Sequence, residues 1–175
     1  MLKKLPLIVA VVILTIAVYA VGTAVAAKIT VVVKGGPLDL TASTDQTLAD
    51  AVLDGSDTST TGSLGALQVR DARGTGTGWY VGIVATDFAE QSSTHTIPAI
   101  GFSIPTVPAV TTLFGNGGVT AAAGGLSSPG YTLLDSPNPN GRGRYSTTPS
   151  LKLNVPAETF IGTYASTVTE TLTSY

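Results

Sequence analysis

"RDARGTGTGWYVGIVATDF", residues 70–88, places two arginines, two aspartates, four glycines and the only tryptophan of a 175-residue chain side by side. From Trp79 onward the order is that of a strand. Trp79, Val81, Ile83 and Ala85 fall on one face, and Tyr80, Gly82, Val84 and Thr86 on the other. Both faces are fairly apolar, which predicts a central strand. A second alternating segment, Leu67-Gln68-Val69-Arg70, precedes the glycines. Gly74, Gly76 and Gly78 can take positive φ without a Cβ penalty, so RGTGTG reads as a tight connection between strands. A phosphate-cradling loop needs a helix after its glycines, and the strand that follows argues against nucleotide binding. Asp71 and Arg73, two apart on an extended chain, point to the same side. They are expected to pin the turn by pairing with each other or with turn amides.

The rest of the chain agrees with a strand-and-turn protein. Lys28–Lys34 ("KITVVVK") is β-branched and bounded by Gly35-Gly36-Pro37, which predicts a first strand followed by a turn. Residues 54–66 read as a polar linker, and residues 133–146 ("LLDSPNPNGRGRYS") as a long surface turn. Residues 150–155 alternate cleanly. The run from Phe160 to Thr173 puts Tyr164, Ser166, Val168, Glu170 and Leu172 on one face. Residues 97–134 offer only short strand candidates, and Gln46–Leu53 carries the one hint of a helical period, too short to set a fold class. The expected fold is an all-β, antiparallel β-sandwich of immunoglobulin-like or jelly-roll-like kind, one domain over residues 28–175.

Residues 1–27 have the order of an export leader. Lys3 and Lys4 lead a long apolar run, and "GTAVAA" (22–27) supplies small residues with an A-x-A pattern at Ala24-Val25-Ala26. Cleavage there would start the mature chain near Lys28. The uncharged run from Leu5 to Ala27 is also long enough to span a bilayer as a retained anchor. In both cases the domain is expected outside the cell, with membrane contact only through an uncleaved leader.

The composition narrows the function classes. The net charge is −2 for the whole chain and −4 without Lys3 and Lys4. A phosphate backbone would find no basic face, so nucleic acid is not an expected partner. The absence of cysteine removes disulfides, thiolate nucleophiles and sulfur-based zinc sites. His95, the only histidine, sits among serines in "SSTHTIP". No nucleophile elbow or oxyanion-forming glycine motif accompanies it, so it reads as a loop residue and the chain as noncatalytic, with no cofactor. Asp50, Asp54 and Asp57 could lend oxygens to calcium, but their spacing matches no EF-hand loop and a solvated turn is the plainer reading. Arg142 and Arg144 flank Gly143 where they could meet an acidic polymer. Trp79 and Tyr80 could stack on sugar rings if exposed; Trp79 heads an apolar face, so a core position is expected for it.

Residues 67–81 ("LQVRDARGTGTGWYV") resemble the first signature of the WxL-domain surface proteins, in which V-x-D-x-R-G leads into G-W-x-L. Residues 162–173 ("GTYASTVTETLT") are similar to the second, a G-x-Y terminal strand ending in a W-T-L-T-like sequence. Val81 stands in place of the usual leucine, Glu170 in place of the common second tryptophan, and the usual terminal proline is missing. The resemblance implies a secreted, noncatalytic, β-rich domain associated with the Gram-positive cell wall, commonly with peptidoglycan. It marks Asp71, Arg73, Gly74, Gly78, Trp79, Tyr164 and Leu172 as motif positions. The expected function is therefore that of a surface module holding a wall polymer or other surface proteins. The alternative is a structural subunit of an extracellular filament or pilus. There Ile29, Val31, Val32 and Val33, at the start of the mature chain, would complete a neighbouring subunit's sheet.

Overall fold

The alternation from Trp79 to Ala85 produces a strand that is hydrogen-bonded on both edges, and the rest of the architecture can be placed from it. The computed structural model describes residues 28–175; the leader expected over residues 1–27 lies outside the described residues. Residues 28–32 belong to one unit and Val33–Tyr175 to another, and every strand among the described residues belongs to the second.

This unit is nearly all β, with every strand pair antiparallel. The first sheet has the order β1 (Leu38–Thr41), β3 (Leu67–Asp71), β12 (Gly143–Thr147), β8 (Val110–Gly115). The second is β10 (Gly124–Gly125), β7 (Phe102–Ile104), β13 (Ser150–Val155), β2 (Thr58–Ser63). The third is β15 (Val168–Ser174), β4 (Trp79–Ala85), β11 (Tyr131–Ser136), β9 (Thr120–Ala121). A small fourth sheet joins β14 (Tyr164–Ala165), β5 (Phe88–Glu90) and β6 (Thr96–Ile97). The one helical element among the described residues is a 3-10 turn at Ala99–Gly101.

Inward residues of all four sheets share one core. Leu67, Val69 and Tyr145 enter it from the first sheet, Trp79, Val81 and Ile83 from the third, and Leu151, Leu153 and Phe102 from the second. The Trp79 and Tyr145 rings meet with centroids 5.8 Å apart, so the first and third sheets face each other there. Side chains of this size each return about 1.5–3 kcal/mol on burial, which makes this layer the natural anchor of the fold. The strand β11 adds one residue to its ladder with β4 between Thr132 and Leu134. That bulge turns both Leu133 and Leu134 inward, which strict alternation forbids.

Six sequence expectations need correction. Residues 28–34 form no strand, because β-branched propensity needs a partner edge and none pairs with them among the described residues. Gly35–Pro37 does not turn but runs beside the end of β3. The Gly36 N–H donates to Ala72 O at 2.7 Å and the Ala72 N–H to Pro37 O at 2.9 Å. The expected linker 54–66 contains β2, a Thr/Ser edge strand of which only Thr60 is fully buried, and Gln46–Leu53 is not helical. Finally, most of residues 133–146 lies in β11 and β12, leaving 137–142 as the connection, and the Phe160–Thr173 run is split between β14 and β15 in different sheets.

Candidate functional site

The glycine-rich turn is built around one ion pair. Gly74, Gly76 and Gly78 all adopt positive φ, 71–80°, and the turn ends where β4 begins. The Asp71 side chain is wholly buried and Arg73 is about one-fifth exposed. Arg73 donates to Asp71 three times: from its backbone N–H (3.0 Å) and Nε (3.0 Å) to Oδ1, and from Nη2 (2.9 Å) to Oδ2. Nη2 also donates to Gly78 O at 2.9 Å, and Nη1 donates to Ser174 Oγ. One guanidinium thus joins the end of β3, the start of β4 and the end of β15. Burial pushes the Asp71 pKa up, but the Arg73 hydrogen bonds and the charges of Arg73 and Arg142 outweigh it. The carboxyl is held below its ordinary range.

Trp79 lies directly behind the turn and is wholly buried. Its indole N–H donates to Gly141 O at 3.0 Å, tying β4 to the 137–142 connection. Gly141 has φ +80°, and a Cβ there would stand 2.2 Å from Ser136 Oγ and 2.6 Å from Trp79 Nε1. Ser136 Oγ is buried with no hydrogen-bond partner. As a ligand candidate Trp79 is therefore corrected: it presents no face to solvent.

The remaining ligand candidates do not converge. Trp79 points inward from β4, so Tyr80 points outward from the third sheet, where its ring lies 5.4 Å from that of Tyr175. The Tyr175 hydroxyl donates to Asp135 Oδ1. Tyr145 points inward from β12, so Arg144 points outward from the first sheet, on the opposite side. Arg144 stands between Arg70 and Phe114 in register. Arg70 is paired with Asp39; Arg144 makes no ion pair among the described residues. Arg142 is exposed in the connection and its backbone N–H donates to Asn116 Oδ1 at 2.9 Å. No sequence signal marks Tyr175, which lies one residue past the ladder of β15.

The aspartates considered for calcium are not gathered. Asp54 Oδ1 accepts from the backbone and hydroxyl of Ser56, and Asp57 Oδ1 accepts from the Ala157 N–H. Among the described residues no three acidic or histidine side chains come together in a metal-holding cluster. His95 stacks on Phe160 with centroids 3.9 Å apart, and its Nδ1 lies 2.9 Å from Ser93 Oγ and 3.0 Å from Glu90 Oε2. Both polar partners meet the same ring nitrogen, so the trio does not form the serine–imidazole–carboxylate relay of a hydrolase, which uses both nitrogens. A shallow, mostly apolar groove of about 490 Å³ lies where Val84 and Thr169 meet Pro98, Ile100 and Ser128.

The assembly candidates give the plainest surface signal. Ile29, Val31, Val32 and Val33 are 76–94% exposed. A second uncovered apolar run is β8, where Phe114 is 72% exposed and Leu113 is exposed beside it. Comparison of the chain with protein-family models, with curated proteins and with solved structures finds no match. The likeness to WxL proteins therefore rests on residues 67–81 and 162–173 alone.

Proposed function

We propose that this chain is a noncatalytic extracellular structural subunit whose copies join by giving residues 28–34 to a neighbour's sheet. The observation that carries the reading is the exposure of Ile29, Val31, Val32 and Val33. Each such side chain returns about 1.5–3 kcal/mol when buried, and an unpaired β-branched segment finds both burial and backbone partners in a sheet edge. The placement outside the cell rests on the leader-like order of residues 1–27. A β-sandwich in which the first and third sheets close on Trp79 and Tyr145 would be the rigid body of such a lattice.

A second reading, a wall-associated module like the WxL domains, is favoured by one specific feature. The two resembling segments lie side by side: Leu172 pairs with Val81 and Ser174 with Trp79, and Arg73 bonds Ser174. In that case polymer contact would fall to Tyr80 and Tyr175 on the outer face of the third sheet.

Negative-stain electron microscopy of the full chain, purified without denaturant, separates the two. Regular filaments are expected. Discrete particles that sediment with isolated peptidoglycan or wall polysaccharide would overturn strand donation in favour of the surface module.

A further inference from the structure

Three edge strands are long enough to receive a donated segment: β2, β8 and β15. Two are already guarded. Along β2, Thr61 O accepts the Ala49 N–H at 2.9 Å and the Thr60 hydroxyl donates to Ala49 O, so a neighbouring segment covers it. On β15, Glu170 places a charge at mid-strand and accepts from Ser43 N–H (3.2 Å) and Ser43 Oγ (2.8 Å). The groove beside the end of β15 offers no open edge, because the Thr86 N–H donates to Thr167 O and the Thr167 N–H to Thr86 Oγ1.

The remaining edge strand, β8, differs. Its sequence, VTTLFG, holds no charge and no proline, two of the devices that keep an edge from pairing, and no segment covers it among the described residues; a bulge is the only such device it carries. Five of its six residues are exposed, and among the described residues its backbone bonds only to β12. A bulge at Leu113 is its one irregularity. On the outer face, the cross-strand row Asp39–Arg70–Arg144–Phe114 ends at Phe114, with no further strand beside it among the described residues.

We propose that the free edge of β8 is the acceptor for residues 29–33 of a second copy of this chain; this rests on the strand-donation reading. Each segment alone is an association hazard, and pairing them removes both. The five donor residues are one fewer than the six of β8, long enough to pair along nearly all of it. Ile29, Val31 and Val33 share one face of an extended segment and Thr30 and Val32 the other, so one face would set an apolar side chain against Phe114, the apolar end of an otherwise charged row. Donor and acceptor are different segments, so the contact is heterologous and each copy can both give and receive a strand, which permits a chain of copies.

The chain has no cysteine, so introduced pairs report directly. Full-length Val31→Cys is mixed under mild oxidation with full-length Thr111→Cys, Thr112→Cys or Leu113→Cys, and separately with Thr169→Cys on β15. The expected result is a disulfide-linked heterodimer with at least one β8 position, about tenfold over the Thr169 mixture. Leu113→Lys, at an exposed site, should abolish filaments while leaving the melting temperature of the dispersed protein unchanged. Filaments that cross-link at Thr169 and not at β8 would overturn this acceptor and leave strand donation standing. Cross-links of Thr112→Cys only to itself would replace it with a two-fold β8 pair. The absence of both filaments and cross-links would overturn the acceptor and the donation together.

Discussion

Replacing Arg73 with methionine should cost far more than a surface charge is worth. The substitution keeps the aliphatic stem but removes two of the three N–H groups donating to the buried Asp71 carboxylate, leaving only the backbone N–H of residue 73. Breaking one side of a buried ion pair costs about 3–5 kcal/mol, against about 0–1 kcal/mol for an exposed pair. Because Arg73 is partly exposed, the lower end, about 3 kcal/mol, applies. A unit of this size has an unfolding entropy of about 0.3 kcal/mol/K, so the melting temperature should fall by about 10 °C at pH 7. The sign of the pH dependence follows from the depressed Asp71 pKa. Its contribution is fully present above the unfolded carboxylate value of about 3.9 and is lost as pH falls through the lower folded value. The gap between wild type and variant should therefore narrow between pH 5 and pH 2–3, measured by thermal melts across that range. Adding Asp71→Asn to Arg73→Met should restore part of the loss, giving a coupling energy in a double-mutant cycle. A loss below about 1 kcal/mol that does not change with pH would refute the clamp.

Two further outcomes test the layer behind the turn. Trp79→Phe leaves the buried Gly141 carbonyl without its donor and opens space beside Tyr145, so chemical denaturation should show a loss of about 2–4 kcal/mol; a loss under 1 kcal/mol would contradict the anchoring role. Ser136→Ala removes a buried hydroxyl that has no partner, and should leave stability unchanged or raise it by up to about 1–2 kcal/mol. A clear destabilisation would mean that the hydroxyl is bonded in solution.

Sequence reading succeeds where one physical signal acts alone. The alternation from Trp79 to Ala85 reports a strand between two neighbours, and the Asp71–Arg73 spacing reports a pair on one side of an extended segment; both are present. It fails where pairing decides. Lys28–Lys34 has stronger strand propensity than Thr58–Ser63, yet the polar segment is a strand, because β13 lies beside it and Thr60 turns inward. The bulge in β11 hides Leu133 and Leu134 from any period-two reading. Arg142 and Arg144 read as one cationic tip in the sequence, but the first lies in a connection and the second in β12. Tyr80 and Tyr175 are 95 positions apart, and only the β4–β15 ladder brings them together.

Amide hydrogen exchange at residues 29–33, in assembled and in dispersed protein, tests strand donation most directly. In the dispersed protein these amides should exchange as fast as an unstructured peptide. In filaments they should be slowed by orders of magnitude, together with those of β8. Filaments in which residues 29–33 still exchange freely would contradict strand donation.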